Sequence, residues 1–403
     1  MSSYNVAIVG GGIFGCSIAK HLTERSNIDV CLLEKEYHFA RHQSGRNSGT
    51  LHVGVVTEAD VKPGTQLSRF TLEGTRRLKA YCEEHDLPIC DRGIMKVAST
   101  EEEIAKVRRL YEQASERDVA VEYLDGQDEI HDLEPHITGE AGLYSPESAT
   151  VDSSLITNKL AQQAWEQGAD ICMGTTVTGV TRNRDGVTVR TDKTDVQADF
   201  LINATGVKAM KLATKLGIKN GYHAIPFRGT YYELIPEKRF LVNSNVYPTS
   251  VDPSFQVDVH FTRRPDNRVI VGPTGMIAKG TETYGKTQFN LREIAGTMTS
   301  KNFWKFIASR QNISLAVNEL DKTYRKQTFL DHSRNLIPGI RSEDLIESYA
   351  GITHWLFDEN GQRVGKPVIE FNDCSAHILM PQPGFTSSFP IGEYVADEVL
   401  ERV

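Results

Sequence analysis

The first 34 residues hold the pattern that most restricts how this chain can fold. Residues 4–9 are rich in β-forming apolar side chains, and Gly10-Gly11-Gly12-Ile13-Phe14-Gly15 follows at once. A run with helical spacing starts at Cys16, and a second apolar run, residues 28–33, ends at Glu34. Strand, glycine-rich turn, helix, strand and terminal acid together make a β-α-β unit of about 30 residues. This context predicts a Rossmann-like unit that binds a dinucleotide.

Each part of the pattern has its own physical task. Gly10 allows a tight turn, Gly12 lets the backbone approach a pyrophosphate, and Gly15 lets helix and strand pack closely. The start of the helix offers unpaired N–H groups and a positive dipole end to the phosphates. Glu34 is placed to accept hydrogen bonds from the hydroxyl groups of an adenosine ribose. These residues are compatible with both NAD and FAD.

Two further segments bear on which dinucleotide is bound. Residues 38–55 are rich in small, hydrogen-bonding side chains and follow closely after Glu34. Such a segment suits an extended cofactor whose contacts continue beyond its AMP half, which favours FAD. Residues 198–206 form a predicted strand that ends in Ala204-Thr205-Gly206, after a predicted strand pair with a turn at Asp185-Gly186. A strand that stops at a glycine lets the backbone approach the ligand.

Length and periodicity indicate a second domain. The 403 residues are too many for one small core. Residues 65–86, 101–118 and 291–335 have helical spacing, whereas residues 221–290 alternate between short strands and turns, which is typical of an antiparallel sheet. We predict an α/β fold with a Rossmann-like FAD-binding domain around a mostly parallel sheet, and an α+β substrate domain with an antiparallel sheet. The predicted FAD-binding domain is discontinuous and comprises residues 1–80, 145–220 and 346–403, and the substrate or cap domain comprises residues 81–144 and 221–345.

Composition and charge argue against several classes of protein. The chain carries 45 Lys and Arg against 53 Asp and Glu, a net charge of −8, without a basic block, which argues against nucleic acid as the main partner. No apolar stretch approaches the roughly 20 residues that span a bilayer, and the first residues carry no basic stretch typical of a secretory signal. The six cysteines form no C-x-x-C pair and no tight Cys/His spacing. We therefore expect reduced thiols, no metal site and a cytoplasmic location.

A set of segments spread over most of the chain carries a family resemblance. They are Val9–Gly15, His42–Gly49 followed by Leu51–Gly54, Lys62–Gly64, Phe227–Leu234, Tyr247–Pro248, Asp252–Pro253, Val259–Arg264, Val271–Pro273, Thr386–Ser388 and Ile391–Asp397. In these segments the chain resembles the FAD-dependent oxidoreductases of the D-amino-acid oxidase and glycerol-3-phosphate dehydrogenase superfamily. Within that superfamily it looks most like the L-2-hydroxyglutarate dehydrogenases and oxidases.

The resemblance implies a set of cofactor-binding residues at both ends and in the middle of the chain. They are Gly10, Gly12, Ile13, Phe14, Gly15, Glu34, Lys35, Arg41, Gln43, Ser44, Asn47, Ser48, Gly49, Val177, Ala204, Thr205, Gly206, Gly384, Phe385 and Thr386. A helix predicted over residues 389–399 would direct its positive end at the pyrimidine edge of the flavin. Negative charge accumulates there on reduction, and helix-end N–H groups stabilise it.

The resemblance also implies that His52 is the catalytic residue. Oxidation of a secondary alcohol needs hydride transfer from carbon to flavin N5 and removal of the hydroxyl proton, and imidazole has a suitable pKa for the second task. Without the resemblance, a histidine between Leu51 and Val53 would more often be a structural residue. The implied substrate-binding residues are Arg46, Arg228, Tyr232, Arg263 and His354.

Two positions depart from the pattern of the similar enzymes. Thr353 stands where they usually carry an arginine that clamps the anionic group of the substrate, and Arg46 stands where they usually carry a histidine. Loss of a bidentate arginine is not a conservative change. Arg263 and Arg264 are adjacent on a predicted strand and point to opposite faces, so at most one can reach a pocket. The substrate is therefore less tightly predicted than the reaction.

The resemblance implies an enzyme that oxidises a small anionic L-2-hydroxy acid, with the conversion of L-2-hydroxyglutarate to 2-oxoglutarate as the leading candidate. His52 would take the proton and flavin N5 the hydride, and electrons would pass to oxygen or to a quinone-type acceptor. Glycerol 3-phosphate, malate and amino acids are alternative substrates. A flavin-binding subunit without its own dehydrogenase activity is an alternative of another class. A quinone-coupled enzyme could lie peripherally at a membrane, although no strongly basic amphipathic stretch stands out.

Overall fold

The computed structural model describes residues 2–54, 65–117, 119–184, 186–250, 258–308 and 310–403. Three stretches named above, Lys62–Gly64, Asp185 and Asp252–Pro253, lie outside the described residues. In the part of the chain that is described, no helix combines the length and the apolar character that crossing a bilayer requires. All six cysteines are unbridged thiols.

The helices fall largely where helical spacing predicts them. They are α1 (Ile13–Arg25), α2 (Gln66–Glu84), α3 (Glu101–Ser115), α4 (Gln127–Leu133), α5 (Ser153–Glu166), α6 (Ala209–Lys215), α7 (Leu291–Met298), α8 (Lys301–Ile307), α9 (Arg310–Tyr324), α10 (Lys326–Arg334) and α11 (Ser388–Leu400). Helix α3 begins at a capping box, in which the Thr100 hydroxyl accepts from the Glu103 N–H and the Glu103 carboxylate accepts from the Thr100 N–H.

The strands are shorter and more numerous. They are β1 (Ser2–Val9), β2 (Val30–Leu33), β3 (Thr50–Leu51), β4 (Ile89–Cys90), β5 (Ile94–Ala98), β6 (Glu122–Asp125), β7 (Ala141–Ser145), β8 (Ala149–Val151), β9 (Asp170–Cys172), β10 (Val177–Asn183), β11 (Gly186–Thr191), β12 (Val196–Asn203), β13 (His223–Leu234), β14 (Asn245–Pro248), β15 (His260–Arg263), β16 (Val269–Gly272), β17 (Met276–Ile277), β18 (Leu345–Phe357), β19 (Val368–Asn372) and β20 (Ser375–Met380).

The chain divides into two compact units, and the first contains the parallel sheet. Unit 1 comprises residues 1–47, 153–225 and 354–403. Its central strands β20, β12, β1, β2 and β9 are parallel, whereas β10, β11 and β19 join antiparallel. Val9 is in register with Leu33 of β2 and with Asn203 of β12. The glycine turn after β1, Glu34 and the Ala204–Gly206 turn therefore leave the sheet at the same edge.

Helices α5 and α11 cover α1 in unit 1. The hydroxyl of Ser17 in α1 donates to the carbonyl of Ser388 at 2.9 Å. A Cβ at Gly392 of α11 would lie 2.2 Å from the Ser17 Oγ, so the glycine lets the two helices approach closely. This packing holds the N-terminal half of α1 against α11.

Unit 2 comprises residues 48–152 and 226–353 and contains the antiparallel sheet. Its strand order is β17, β13, β16, β15, β14, β5, β7 and β6, with β18 paired to β13, and β14 and β5 are parallel neighbours. A smaller sheet has the order β3, β8 and β4. The main core lies on one face of the large sheet, where buried residues such as Val246, Phe261 and Val271 pack against Phe329 and Leu330 of α10.

The unit boundaries differ from the predicted domain boundaries. Residues 48–80 and 145–152 belong to unit 2, although the sequence interpretation placed them in the FAD-binding domain. The reason is pairing and packing at a distance in sequence: β3 pairs with β8, and Val53 packs into an apolar cluster with residues of α3 and β7. The sequence predicts two later boundaries at 220/221 and 345/346, and the corresponding unit boundaries in the structure lie at 225/226 and 353/354.

Candidate functional site

The glycines after β1 have distinct structural tasks. Gly10 has a φ of +110°, and a Cβ there would lie 2.5 Å from the Ala204 carbonyl oxygen. A Cβ at Gly15 would lie 1.9 Å from the Gly10 carbonyl oxygen. At Gly12 a Cβ would have only the Ser44 Oγ, at 3.0 Å, within 4 Å among the described atoms. Gly10 and Gly15 are thus required by the turn and its packing, whereas Gly12 keeps space in front of α1.

The space at Gly12 suits an anion. It lies at the N-terminus of α1, whose first turn has no acidic residue. The Ile13 N–H donates to the Ser44 Oγ at 2.9 Å, which places a hydroxyl group beside the helix end. Helix N–H groups and the helix dipole favour phosphate at such a position.

The acid at the end of β2 is fixed for ligand binding. The Glu34 carboxylate accepts from the Gly11 N–H at 2.6 Å and from the Glu36 N–H at 2.8 Å, one bond to each oxygen. The side chain is buried, and each oxygen keeps a lone pair for another donor. This arrangement fits the two hydroxyl groups of a ribose.

Residues 43–47 brace the same edge of unit 1. The Gln43 Oε1 accepts from the Val207 N–H at 3.0 Å, and the Asn47 Nδ2 donates to the carbonyls of Gln43 and Ser44. Gly206 has a φ of +58°, and a Cβ there would lie 2.4 Å from the Gln43 Oε1. The left-handed backbone at residue 206 therefore favours glycine, and a side chain there would displace the end of the Gln43 side chain.

A buried polar network next to the Ala204–Gly206 turn was not predicted from the sequence. The Asn203 Nδ2 donates to the Ala209 carbonyl and to Nδ1 of His377, and its Oδ1 accepts from the Thr205 hydroxyl. His377 also shares a hydrogen bond with the Ser375 hydroxyl at 2.9 Å, and burial lowers its pKa to about 4. Because Nδ1 accepts, His377 is neutral with the proton on Nε2. The one sequence signal was an asparagine at the strand end directly before the turn.

The other predicted cofactor residues of unit 1 lie in several places. Lys35 contacts Glu36 and His42, and Arg41 is exposed. Val177 begins β10, next to an apolar cluster of the sheet. Gly384 has a φ of +87°, and the segment after it leads into α11.

Ser48 and Gly49, also predicted to bind cofactor, belong to unit 2. A Cβ at Gly49, whose φ is +78°, would lie 2.3 Å from the Val151 carbonyl oxygen. The Ser48 carbonyl accepts from Nη1 of Arg264 at 3.2 Å. Gly49 is therefore required by its contact with β8.

His52 belongs to a cluster of rings in unit 2. Its ring lies 6.4 Å from that of Tyr247, edge to face, and Tyr247 stacks on His260 at 3.8 Å with 13° between the planes. Burial, with a smaller contribution from the positive charge of Lys96, lowers the pKa of His52 to about 4. Burial also lowers the pKa of His260 to about 3. Both imidazoles are thus neutral near neutral pH and able to accept a proton.

The face of the sheet around these rings also carries cations. Tyr247 is in register with Lys96, so the two side chains share a face. Alternation from His260 places Arg264 on that face as well. The pKa of Tyr231 is raised by burial and by Tyr349, and Tyr247 and Arg264 also act on it, which places them near one another. We call His52, Lys96, Tyr231, Tyr247, His260 and Arg264 the histidine–tyrosine cluster.

Arg263 does not join the cluster, although it was predicted to bind substrate. Alternation turns it to the opposite face, where it is buried and its Nε donates to the Val242 carbonyl at 2.9 Å. Tyr232 likewise packs in the core on Phe329, at 4.5 Å between ring centroids. The sequence predicts that Arg263 and Arg264 point to opposite faces of the sheet, but the strand register is needed to tell which face each of them occupies.

The remaining predicted substrate residues have other partners. Arg228 is buried and donates to the Tyr284 carbonyl and the Thr230 hydroxyl, both at 2.7 Å. In unit 1, the Arg46 Nε donates to the Arg41 carbonyl at 3.2 Å. The predicted ligand His354 also lies in unit 1, where its Nε2 donates to a backbone carbonyl of β20 at 2.7 Å. Each of these three side chains therefore has a hydrogen bond to a residue of its own unit.

Comparison with known proteins gives consistent matches over the whole chain. A family model described as FAD dependent oxidoreductase matches residues 5–398. The chain is 33% identical over 404 residues to the L-2-hydroxyglutarate dehydrogenase of Indibacter alkaliphilus, covering 99% of both. It is 30% identical over 400 residues to the L-2-hydroxyglutarate dehydrogenase of Escherichia coli strain K12, covering 98% of this chain and 93% of the relative.

Solved structures share the fold. Dithionite-reduced L-α-glycerophosphate oxidase from Mycoplasma pneumoniae, with FAD bound, superposes with a TM-score of 0.76. The identity is 21%, and the alignment covers 100% of this chain and 95% of the other. The predicted α/β architecture with its FAD-binding unit is confirmed.

Proposed function

Because the chain belongs to the family of FAD-dependent oxidoreductases, we propose that it oxidises L-2-hydroxyglutarate to 2-oxoglutarate. The observation that carries the proposal is the similarity to L-2-hydroxyglutarate dehydrogenases along essentially the whole chain. Family membership confirms the predicted cofactor, FAD, and the predicted class of enzyme, an oxidoreductase.

The residues of unit 1 fit FAD. The space in front of α1 at Gly12 is suited to the pyrophosphate, and the fixed carboxylate of Glu34 is suited to the ribose. The Gln43 and Asn203 contacts hold the neighbouring turn at Gly206 in place. FAD, when bound, supplies the group that accepts a hydride from the substrate carbon.

We assign the proton transfer to His52. A neutral imidazole in a partly buried site can accept the hydroxyl proton as the hydride leaves. Burial and Lys96 make His52 a weak base in the free enzyme, but a bound carboxylate would raise its pKa because negative charge stabilises the imidazolium. Substrate binding and activation of the base are thereby linked.

His260 is the second candidate base, and one observation favours it. Its Nδ1 lies 2.9 Å from the Asp258 carbonyl, which fixes the proton on Nδ1 and leaves Nε2 as an acceptor. Among the described residues this buried Nε2 has no hydrogen-bond partner. A substrate hydroxyl group would supply the missing donor.

Lys96 and Arg264 are the proposed partners of the substrate carboxylates. A dicarboxylate needs positive charge at both ends, and these are the cations of the histidine–tyrosine cluster. They are proposed in place of Arg228 and Arg263 because they lie on the same face of the sheet as Tyr247 and His260, whereas Arg263 lies on the opposite face and Arg228 is buried against Tyr284 and Thr230. Arg264 has a planar guanidinium group that can bind a carboxylate through two hydrogen bonds, which the threonine at position 353 cannot do.

A substrate screen tests the proposed function. The purified enzyme with bound FAD is mixed without oxygen with L-2-hydroxyglutarate, its D-enantiomer, L-malate, glycerol 3-phosphate, glycine or L-proline, and loss of the flavin absorbance is followed. We expect rapid reduction by L-2-hydroxyglutarate alone. Faster reduction by glycerol 3-phosphate or an amino acid would refute the assignment. Repeated turnover in air would identify oxygen as the electron acceptor. Turnover only with an added soluble quinone would identify a quinone-type acceptor.

A further inference from the structure

The main chain at His52 lies just beyond the end of a very short strand. Strand β3 consists of Thr50 and Leu51 and pairs with β8. Val53, on the other side of His52, is buried in the apolar cluster that it shares with residues of α3 and β7. His52 itself belongs to no strand or helix. The position of its imidazole therefore depends on what else holds the main chain at residue 52.

A buried threonine of α2 holds this main chain. The hydroxyl of Thr75 donates to the main-chain carbonyl of His52 at 2.6 Å. Within a helix, a threonine hydroxyl commonly bonds back to the carbonyl four residues earlier. Thr71, one turn before, does so by donating to the Leu67 carbonyl at 2.6 Å. The hydroxyl of Thr75 instead reaches a residue 23 positions away in the sequence.

The main chain directly after His52 is attached to the same helix. Gly54 has a φ of +80°, and a Cβ there would lie 3.1 Å from the Thr71 methyl group. The Gly54 carbonyl accepts from Nη1 of Arg117 at 3.2 Å. The Arg117 guanidinium also donates to the hydroxyl of Ser68 in α2. Residues 52 and 54 are thus both held against α2.

Helix α2 is a firm support for this segment. Its side chains Phe70 and Leu78 are among the fully buried ones of the chain. With the main chain held, the imidazole of His52 can move only by rotation about its two side-chain bonds, and the Tyr247 ring stands edge to face with it. A catalytic group must lie within hydrogen-bond reach of the proton that it takes, so the support of residue 52 matters for the rate.

We propose that Thr75 is a positioning residue for the reaction, because its hydrogen bond to the His52 carbonyl holds the imidazole where it can take the hydroxyl proton of the substrate. Thr75 acts on the reaction through His52. The inference rests on the proposed assignment of proton transfer to His52, and it holds for any alcohol substrate that this histidine deprotonates.

The substitution T75V tests the inference because valine keeps the shape of threonine and removes only the hydroxyl group. We expect the rate constant for anaerobic flavin reduction to fall about 10- to 100-fold, the range for a misplaced catalytic group. The Kd values for FAD and for substrate should change by less than about threefold, because Thr75 contributes to orientation and not to binding. T75S keeps the hydroxyl group and should restore the rate to within about threefold of the wild type.

The matched control is T71V. It also removes one buried hydroxyl group from α2, and valine keeps the methyl group that lies beside Gly54. The hydroxyl of Thr71 bonds within its own helix, so T71V should reduce its flavin within about threefold of the wild-type rate. FAD content and thermal melting show that each variant is folded. If T75V does not fold, T75A and its control T71A make the same comparison.

A double-mutant cycle with H52N shows whether Thr75 acts through His52. Once the imidazole is gone, T75V should lower the remaining rate by less than about threefold. The substrate is the compound that reduces the wild-type flavin fastest in the screen, so an error in the proposed substrate leaves this test intact.

Three results would overturn the inference. If T75V is as fast as T71V while H52N is slow, Thr75 does not position the base. An equal loss from T75V in the wild type and in H52N would show that Thr75 acts on something other than His52. Reduction of H52N at the wild-type rate would refute the proton assignment itself, and the role of Thr75 would fall with it.

Discussion

Replacing Gly12 by Ala and Gly15 by Ala should separate a glycine that serves a ligand from one that serves the fold. A Cβ at Gly15 would lie 1.9 Å from a backbone carbonyl oxygen, so the turn must open by about 1.5 Å to reach ordinary contact. Overpacking of this kind costs about 3 kcal/mol or more, because backbone cannot rotate away. The Cβ at Gly12 meets only the Ser44 hydroxyl at 3.0 Å, and Gly12 already has an extended backbone that alanine adopts. We expect G12A to lower the free energy of unfolding by about 1 kcal/mol or less.

The G12A substitution should weaken FAD binding even though it has little effect on stability. A methyl group at residue 12 stands where a phosphate oxygen would approach the N-terminus of α1, and one lost charge-assisted hydrogen bond is worth about 1.5–3 kcal/mol. The Kd for FAD of G12A should therefore rise about 10- to 100-fold. Urea unfolding of the FAD-stripped protein gives the stability, and quenching of FAD fluorescence gives the Kd. Wild-type FAD affinity in G12A, or unfolding of G12A as severe as that of G15A, would refute the reasoning.

Other predictions concern the buried polar groups. In the unfolded chain, the imidazoles of His52, His260 and His377 take up protons below the ordinary pKa of about 6.5. In the folded protein they stay neutral to lower pH, because their pKa values there are about 4, 3 and 4. The free energy of unfolding should thus fall by up to about 1.4 kcal/mol per pH unit for each histidine between pH 6.5 and 4, and thermal melts in H377Q should show a shallower fall. Substitution N203A leaves buried partners unpaired, so we expect about 2–3 kcal/mol lower stability and weaker FAD binding, while normal FAD affinity would disprove its bracing role. Substitution H354N should change the KM for substrate less than threefold; a large rise would instead establish His354 as a ligand.

Local pattern was sufficient for the first β-α-β unit. The strand, the glycine turn and Glu34 lie within 34 residues, and their tasks follow from backbone conformation and helix-end electrostatics. The parallel sheet, the antiparallel sheet and the helices over 291–335 also followed from periodicity. The family and its cofactor followed from the motifs spread along the chain.

Features that depend on long-range pairing could not be derived from local sequence patterns. Strand register decides that Arg264, and not Arg263, shares a face with Tyr247. The pairing of β3 with β8 places Thr50 and Leu51 in unit 2.

The most direct test of the account is anaerobic flavin reduction by L-2-hydroxyglutarate in the wild type, H52N and H260N. We predict that H52N binds FAD normally and that its rate constant for reduction falls about 10²- to 10⁴-fold, the usual contribution of a positioned base. H260N should lose much less. Reduction of H52N at the wild-type rate, or a larger loss in H260N than in H52N, would contradict the assignment of the proton to His52.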